Sequence, residues 1–578
     1  MTALKKPAPE SDAHRIARLM RSPGEMMQPD RLAAIQPSRI SASRALMSRA
    51  VRQRWQILCK RFDIDEKGNG VAEYRIEIGS WRFSFPVYSF EPSPHGRTGR
   101  IIGRSWDMMG ALVEGNMSQQ DFETTRVELP KLYEGRATPG TLIWCRSNRS
   151  GRFFESARQA LKAGQQPNVS ELAQTCYLMR NTGLDGNGTF GTKSFLAYEG
   201  DHPLRWSLAA QMLCAYMMRV FAQDLLQHLA RLGSPQAPDM AKELRRFLGV
   251  GNGSALGLML FVNNHPRLIE RWLFVREEAI ARAKAVTPDE GGTEIEKLLG
   301  LVDKAIRFRA QDRAVYENVT RSDVLAEELQ VIRAAVARLL ERWQAGSRFE
   351  SEPFAELAAS LTDRVHAEAM ETLHSLLIEL VAEEADALVE DLVIDEELTG
   401  RPEMPVSRLR EILRNDYAWA FKLDLKIAAA DRYVWYKSVT AEEPRRGPAA
   451  EVGEDVVNLG LDLPRLVVAL DQDLAAAEPG LSTARFLLAH PQHRAIVTRV
   501  QALAGTGLHS PHADIMSGAF TPAHITRLLN VGIHGIDKTR DFLDRNLRGV
   551  MFHGAPLPED IASGTADDLW FYPAEPSL

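Results

Sequence analysis

Two glycine-rich segments carry the residue types best suited to chemistry. Arg180 to Ser194 reads Arg-Asn-Thr-Gly-Leu-Asp-Gly-Asn-Gly-Thr-Phe-Gly-Thr-Lys-Ser, with four glycines among side chains that donate or accept hydrogen bonds. Gly249 to Gly257 repeats its Gly-Asn-Gly-Ser/Thr tetrad, at Gly251–Ser254 against Gly186–Thr189. Glycine removes the Cβ barrier and permits concave runs of N–H groups, a shape that accepts a carboxylate or phosphate. Arg180 and Lys193 would supply positive charge. Asn181, Asp185, Asn187, Asn252, Ser254, Asn263 and Asn264 would supply further hydrogen bonds to the ligand. The apolar run Leu258–Val262 after the second tetrad reads as the start of a helix, where the dipole favours an anion.

Proton transfer needs a group that titrates near neutrality or can be tuned to do so. His265, next to Asn263-Asn264, fits, because a positioned imidazole gives or takes a proton near neutral pH. Tyr436 and Lys437, in Asp431-Arg432-Tyr-Val-Trp-Tyr-Lys-Ser438, are the other candidates; their aromatic and cationic setting suits an anionic or conjugated ligand as well as a helix end packing its rings inside. The spacing therefore predicts an enzyme acting on an anionic small molecule by side-chain proton transfer, of lyase or isomerase type. A non-catalytic helical scaffold or regulator is the alternative, and an oxidoreductase whose cofactor is not evident from motifs is a second. The cofactor is unknown.

Other constellations weigh less. Gly251, Gly253 and Gly257 with Tyr433-x-x-x-Lys437 have the spacing of nicotinamide-dinucleotide sites, but the glycines follow a helical pattern, Ala241–Leu248, and no alternating βα units lie between them. Glu371-x-x-His374 has the spacing of a di-metal bundle ligand pair, yet its companion Glu199-x-x-His202 falls in a loop, so a solvated helix face is expected. His509, His512 and Asp514 read as a polar turn. No metal is assigned.

These groups must be positioned by a scaffold, and 578 residues suffice for two or three packed units. Hydrophobic residues at 45% and charged ones at 25% give the balance of a folded globular chain. A net charge of −6 gives no general attraction to nucleic acid, and the basic residues of 1–60, Lys5, Lys6, Arg15, Arg18, Arg21, Arg49, Arg52, Arg54 and Lys60, read as a solvated terminus. Apolar stretches fall far short of the roughly 20 residues of a spanning helix, so no membrane partner is expected and the cytoplasm is. Cys59, Cys145, Cys176 and Cys214 form no close pair, which predicts buried reduced thiols.

Period-two alternation over 71–90 predicts two strands with a hairpin turn at Gly79-Ser80, and Arg100–Ile102 and Thr141–Cys145 offer two more. Beyond 170 the period becomes helical, as at Val324, Leu325, Leu329, Ile332, Val336, Leu339, Leu340 and Trp343, with Ser322 and Gly346 as start and stop. A pattern from Phe354 to Leu392 suggests one helix of up to ten turns. Glu442–Glu454 reads as an exposed connection, with shorter helices and a Pro- and Gly-rich tail after it. The expectation is a mainly α chain with a small α+β N-terminal region: a mobile segment over 1–45, an α+β region over 46–170, a helical core of long antiparallel helices over 171–440, and a C-terminal helical region over 441–578. The long charged helices also offer a surface to a second copy.

Overall fold

The computed structural model describes residues 11–91, 107–128, 140–181, 198–252, 267–311, 322–392, 400–424, 459–508, 522–535, 549–565 and 572–578, with short stretches at 265, 434–437, 445–447, 452–453, 455–457, 515 and 520. The hairpin is where alternation places it. β2 (Gly70–Ile78) buries Tyr74, Ile76 and Ile78, β3 (Trp81–Ser89) pairs Trp81 with Ile78, and Gly79 turns the chain at φ +58. Glycine is needed there because a side chain rarely tolerates that positive φ.

The hairpin belongs to a much larger sheet, which overturns the expectation of a mainly α chain with only a small α+β region. Eight strands run in the order β1-β2-β3-β4-β5-β6-β7-β11, adding β1 (Gln56–Ile64), β4 (Met108–Glu114), β5 (Thr141–Arg149), β6 (Tyr177–Asn181), β7 (Gly249–Asn252) and β11 (Gly549–Met551). Neighbours are antiparallel except β6 and β7, which are parallel. Strands are therefore not confined to 70–150. The late ones were hidden because β6 is buried on both faces, and a strand without a wet face shows no alternation.

The helix Ala209–Gly233 crosses this sheet, packing on β3 to β7, and is buried all round from Met212 to Gln223. Its Met- and Ala-rich composition suits a helix with no polar face. Tyr74 Oη donates to its Asp224 at 2.8 Å, and His228 Nε2 lies 2.7 Å from the Ile64 carbonyl, so β2 and the end of β1 are both tied to it.

A second core joins the helices Thr293–Gln311, Ser322–Gln344, Pro353–Leu361 and Ala367–Ile378. The stripe from Val324 to Trp343 is one helix as expected, and the chain turns at Gly346 with φ +72. The single ten-turn helix is not formed. It breaks after Leu361, where His366 accepts no helical continuation and instead donates its N–H to Glu328 at 3.0 Å, and again at the tight turn Glu379–Val381 before Ala382–Glu390.

Residues 11–52 are not a solvated tail. Met26, Leu32, Ile35, Ile40, Leu46 and Met47 enter the main core, and the arginines meet acids far along the chain. Arg21 and Arg31 share Glu277 and Glu371 at 2.7–3.3 Å, and the fully buried Arg276 reaches Glu371 at 2.8 Å. Arg39 and Arg52 bind Asp386, and Arg44 binds Glu379 at 2.8 Å. Glu371 and His374, expected on a wet helix face, are thus interior.

Burial and the neighbouring Arg21 push the His374 imidazole down to about 3. Between pH 6.5 and 3 the unfolded chain takes up a proton that folded His374 refuses, so its contribution is full above pH 6.5 and declines as pH falls. Denaturation midpoints should drop from pH 7 to 5, this group adding at most about 1.4 kcal/mol per pH unit. The slope should flatten in His374→Gln; an unchanged slope would contradict the assignment.

Among the described residues, no helix is long and apolar enough to cross a membrane. Cys145, Cys176 and Cys214 are buried free thiols, whereas Cys59, on the outermost strand, is exposed.

Candidate functional site

One transverse row links all eight strands: Ile64, Gly70, Ser89, Met108, Ser147, Asn181, Asn252 and Gly549 are successive register partners. Because β6 and β7 are parallel, the chain departs for 182–197 after Asn181 and for 253–264 after Asn252 on the same side of this row. The two glycine-rich segments therefore begin side by side. β11 runs antiparallel to β7, so the chain also enters at Gly549 from this side.

Just across this row, on the side of the amino ends of β6 and β7, the described residues are polar and buried. Asp107 accepts from the Arg149 N–H and donates its own N–H to Asn148 Oδ1, both at 3.0 Å. The Arg149 guanidinium reaches the carbonyls of Gly68 and Phe90 and the Ser89 hydroxyl at 3.2–3.3 Å, and lies over the Phe154 ring. Gly68 must be glycine, since its φ is +86 and a Cβ would stand 2.5 Å from Arg149 Nη2. The Ser150 N–H donates to the Leu178 carbonyl, and its own carbonyl starts the helix Gly151–Lys162. This frame fixes the strand ends, and Arg180 and Asn181, both buried, stand within it on β6.

Of the residues singled out from sequence, Arg180 and Asn181 are on β6 and Asn252 ends β7. Asp185, Asn187, Lys193, Ser254, Asn263 and Asn264 lie outside the described residues, as do Arg100–Ile102 and the His509, His512 and Asp514 group. His265 is partly buried at the approach to the helix Leu268–Lys284, its carbonyl accepting from the Leu268 N–H at 3.0 Å. Tyr436 and Lys437 are on another sheet. They lie in β8 (Trp435–Lys437), between β9 (Arg445–Arg446) and β10 (Asp455–Val457), with Trp435 and Tyr436 buried. That corrects the helical reading of 433–437 and puts Arg445–Arg446, within the connection expected over 442–454, on a short strand, while Val452 is exposed as expected.

Gly249 and Gly251 have packing reasons of their own. A Cβ on Gly249 would stand 2.3 Å from the Met551 carbonyl, and one on Gly251 2.8–2.9 Å from Tyr177 and Arg180. They stand on a short strand that directly follows the helix Lys242–Phe247, as the pattern over 241–248 predicts. The single parallel pair within an otherwise antiparallel sheet still lacks the repeated βα units of such folds.

Asp107, Asn148, Arg149 and Ser89 were not legible as a buried frame, because only register joins them. His202 is a packed histidine: it lies 4.4 Å from Tyr198 and 4.6 Å from Trp81, and its Nδ1 accepts from Leu204. A cavity elsewhere, between Leu208, Ile269, Trp272, Leu528 and the π-turn Asn530–His534, is apolar and unsuited to an anion.

The fold is a mixed α/β one, with buried Arg180 and Asn181 at the carboxyl end of β6, which pairs in parallel with β7. Comparison with protein-family models, curated proteins and solved structures finds no match to this chain.

Proposed function

We propose that the carboxyl ends of β6 and β7 carry a binding site for a small anionic molecule bearing a carboxylate or phosphate, on which side chains perform proton transfer of lyase or isomerase kind. The observation that carries this reading is the parallel register of Asn181 on Asn252, from which both glycine-rich segments start. Ligands of open parallel sheets bind outside the carboxyl ends of the strands, where loops diverge. In this reading Arg180 and Lys193 orient the negative group, and Asn181, Asp185, Asn187, Asn252, Ser254, Asn263 and Asn264 complete the hydrogen bonds. His265 is the first proton-transfer candidate, followed by Tyr436 and Lys437. The buried free thiols support a reducing, cytoplasmic setting as part of the same proposal.

The test screens the full chain against phosphate- and carboxylate-bearing metabolites by thermal shift, followed by calorimetry. Lys193→Ala should weaken the best binder by roughly 10- to 150-fold, the equivalent of a lost charge-assisted hydrogen bond of about 1.5–3 kcal/mol. His265→Ala should lower turnover by roughly 10²- to 10⁴-fold with little effect on affinity. If nothing in the panel binds, or if Lys193→Ala and Asn187→Ala bind as the wild type does, the reading fails and a helical scaffold replaces it.

A further inference from the structure

A trio of metal-ligand type lies in the C-terminal helical region, outside the site described above. Asp473 projects from the helix Leu459–Ala476. His490 closes the helix Thr483–Ala489, and His493 ends the single turn Pro491–His493 that leads into the helix Arg494–Leu503. Asp473 Oδ2 stands 2.7 Å from His493 Nε2 and 3.4 Å from His490 Nδ1, and all three atoms lie within 4.8 Å of one another.

The rings are held in place before any ligand arrives. Phe486, itself buried, stacks on His490 with centroids 4.7 Å apart and 22° between planes, and lies nearly parallel to His493 at 6.0 Å and 12°. Pro491 stiffens the turn that sets the two histidines three positions apart. Asp473 is met by His490, His493 and, at 3.5 Å, the Gln492 side-chain amide, and by no arginine or lysine among the described residues. Its charge is therefore balanced by neutral or weakly basic groups, which leaves room for a cation.

We propose that Asp473, His490 and His493 bind a divalent transition metal of the zinc class. Two imidazoles and one carboxylate form a donor set suited to zinc, nickel or cobalt and poorly suited to calcium or magnesium. Tetrahedral zinc at about 2.0–2.1 Å from each ligand needs donor separations of roughly 3.3 Å, so the 3.4 Å pair already fits and the 2.7 Å pair opens by about 0.6 Å. His490 and Asp473 are about one-third exposed, at 35% and 38%, so the fourth position faces water. His493 Nδ1 makes no hydrogen bond. The outer partner that stiffens tight zinc centres is thus missing, and affinity about 10- to 100-fold below such centres is expected.

The experiment uses the full chain stripped with EDTA and dialysed, titrated with Zn²⁺ against a chromophoric chelator and with Co²⁺ by visible absorption. Wild type should take up one more Zn²⁺ per chain than His490→Ala and Asp473→Asn, with a Co²⁺ d–d band that both variants lose. The melting temperature should rise with Zn²⁺ in wild type and stay flat in the variants, whose metal-free melting temperature and circular dichroism check the fold. Differences between wild type and variants separate this site from the other histidines of the chain. Equal Zn²⁺ stoichiometry and affinity in wild type and either folded variant, or no uptake by wild type, would overturn the proposal.

Discussion

Glu371→Gln is expected to destabilise the protein by about 3–5 kcal/mol, because it leaves buried positive charge without its counter-charge. Arg21, Arg31 and Arg276 all meet this carboxylate, which is 1% exposed, and among the described residues Glu277 alone would remain to answer three guanidinium groups. Burial alone would raise the Glu371 pKa, but Arg21, Arg276 and Arg31 outweigh it and hold the group well below the ordinary glutamate value. Its stabilising contribution is therefore present above about pH 4.3 and is lost only as pH falls through the lowered value. Urea midpoints of wild type and Glu371→Gln at pH 7 measure the effect. Glu411→Ala, which breaks an exposed pair with Arg408, should leave the midpoint unchanged. A loss under 1 kcal/mol for Glu371→Gln would show that the terminal segment is not held by this cluster.

Arg219→Met should cost a comparable amount by a different route. The Arg219 side chain, 1% exposed, donates to five backbone carbonyls: Leu248 at 2.7 Å, Ala555 at 2.9 Å, Arg245 and Pro556 at 3.0 Å, and Arg246 at 3.1 Å. Burial pulls its pKa down to about 10, and the more distant Asp560 and Glu559 carboxylates only partly offset it. Methionine fills most of the volume but leaves buried acceptors unmet, each worth about 1–3 kcal/mol, so a net loss of about 3–5 kcal/mol is expected after relaxation. The carbonyls flank the entrance to β7 and the exit from β11, so the damage should spread to the edge strand β11 from the end away from the candidate anion site. Protease cleavage within 549–565 should accelerate in Arg219→Met and less in Arg219→Lys. An unaltered cleavage pattern and midpoint would refute the clamp.

By itself the sequence determined what a local period can encode. A strand with one wet face alternates, so β2 and β3 and the turn at Gly79 were legible; a helix with one buried stripe repeats every three to four residues, so Ser322–Gln344 was legible too. The glycine-rich segments were legible as composition, and the structure places their starting points, Asn181 and Asn252, in register. Tertiary structure decided the rest. β6 and β7 have no wet face to betray them, and β11 is three residues long; their membership in one sheet depends on partners up to about 300 residues away. The basic residues of the first 52 positions gave the pattern of a solvated tail, since their acids, Glu277, Glu371, Glu379 and Asp386, lie more than 240 positions later. Charge and hydrophobic period report whether a side chain needs a partner, but which partner it finds is set by chain topology, which no local window contains.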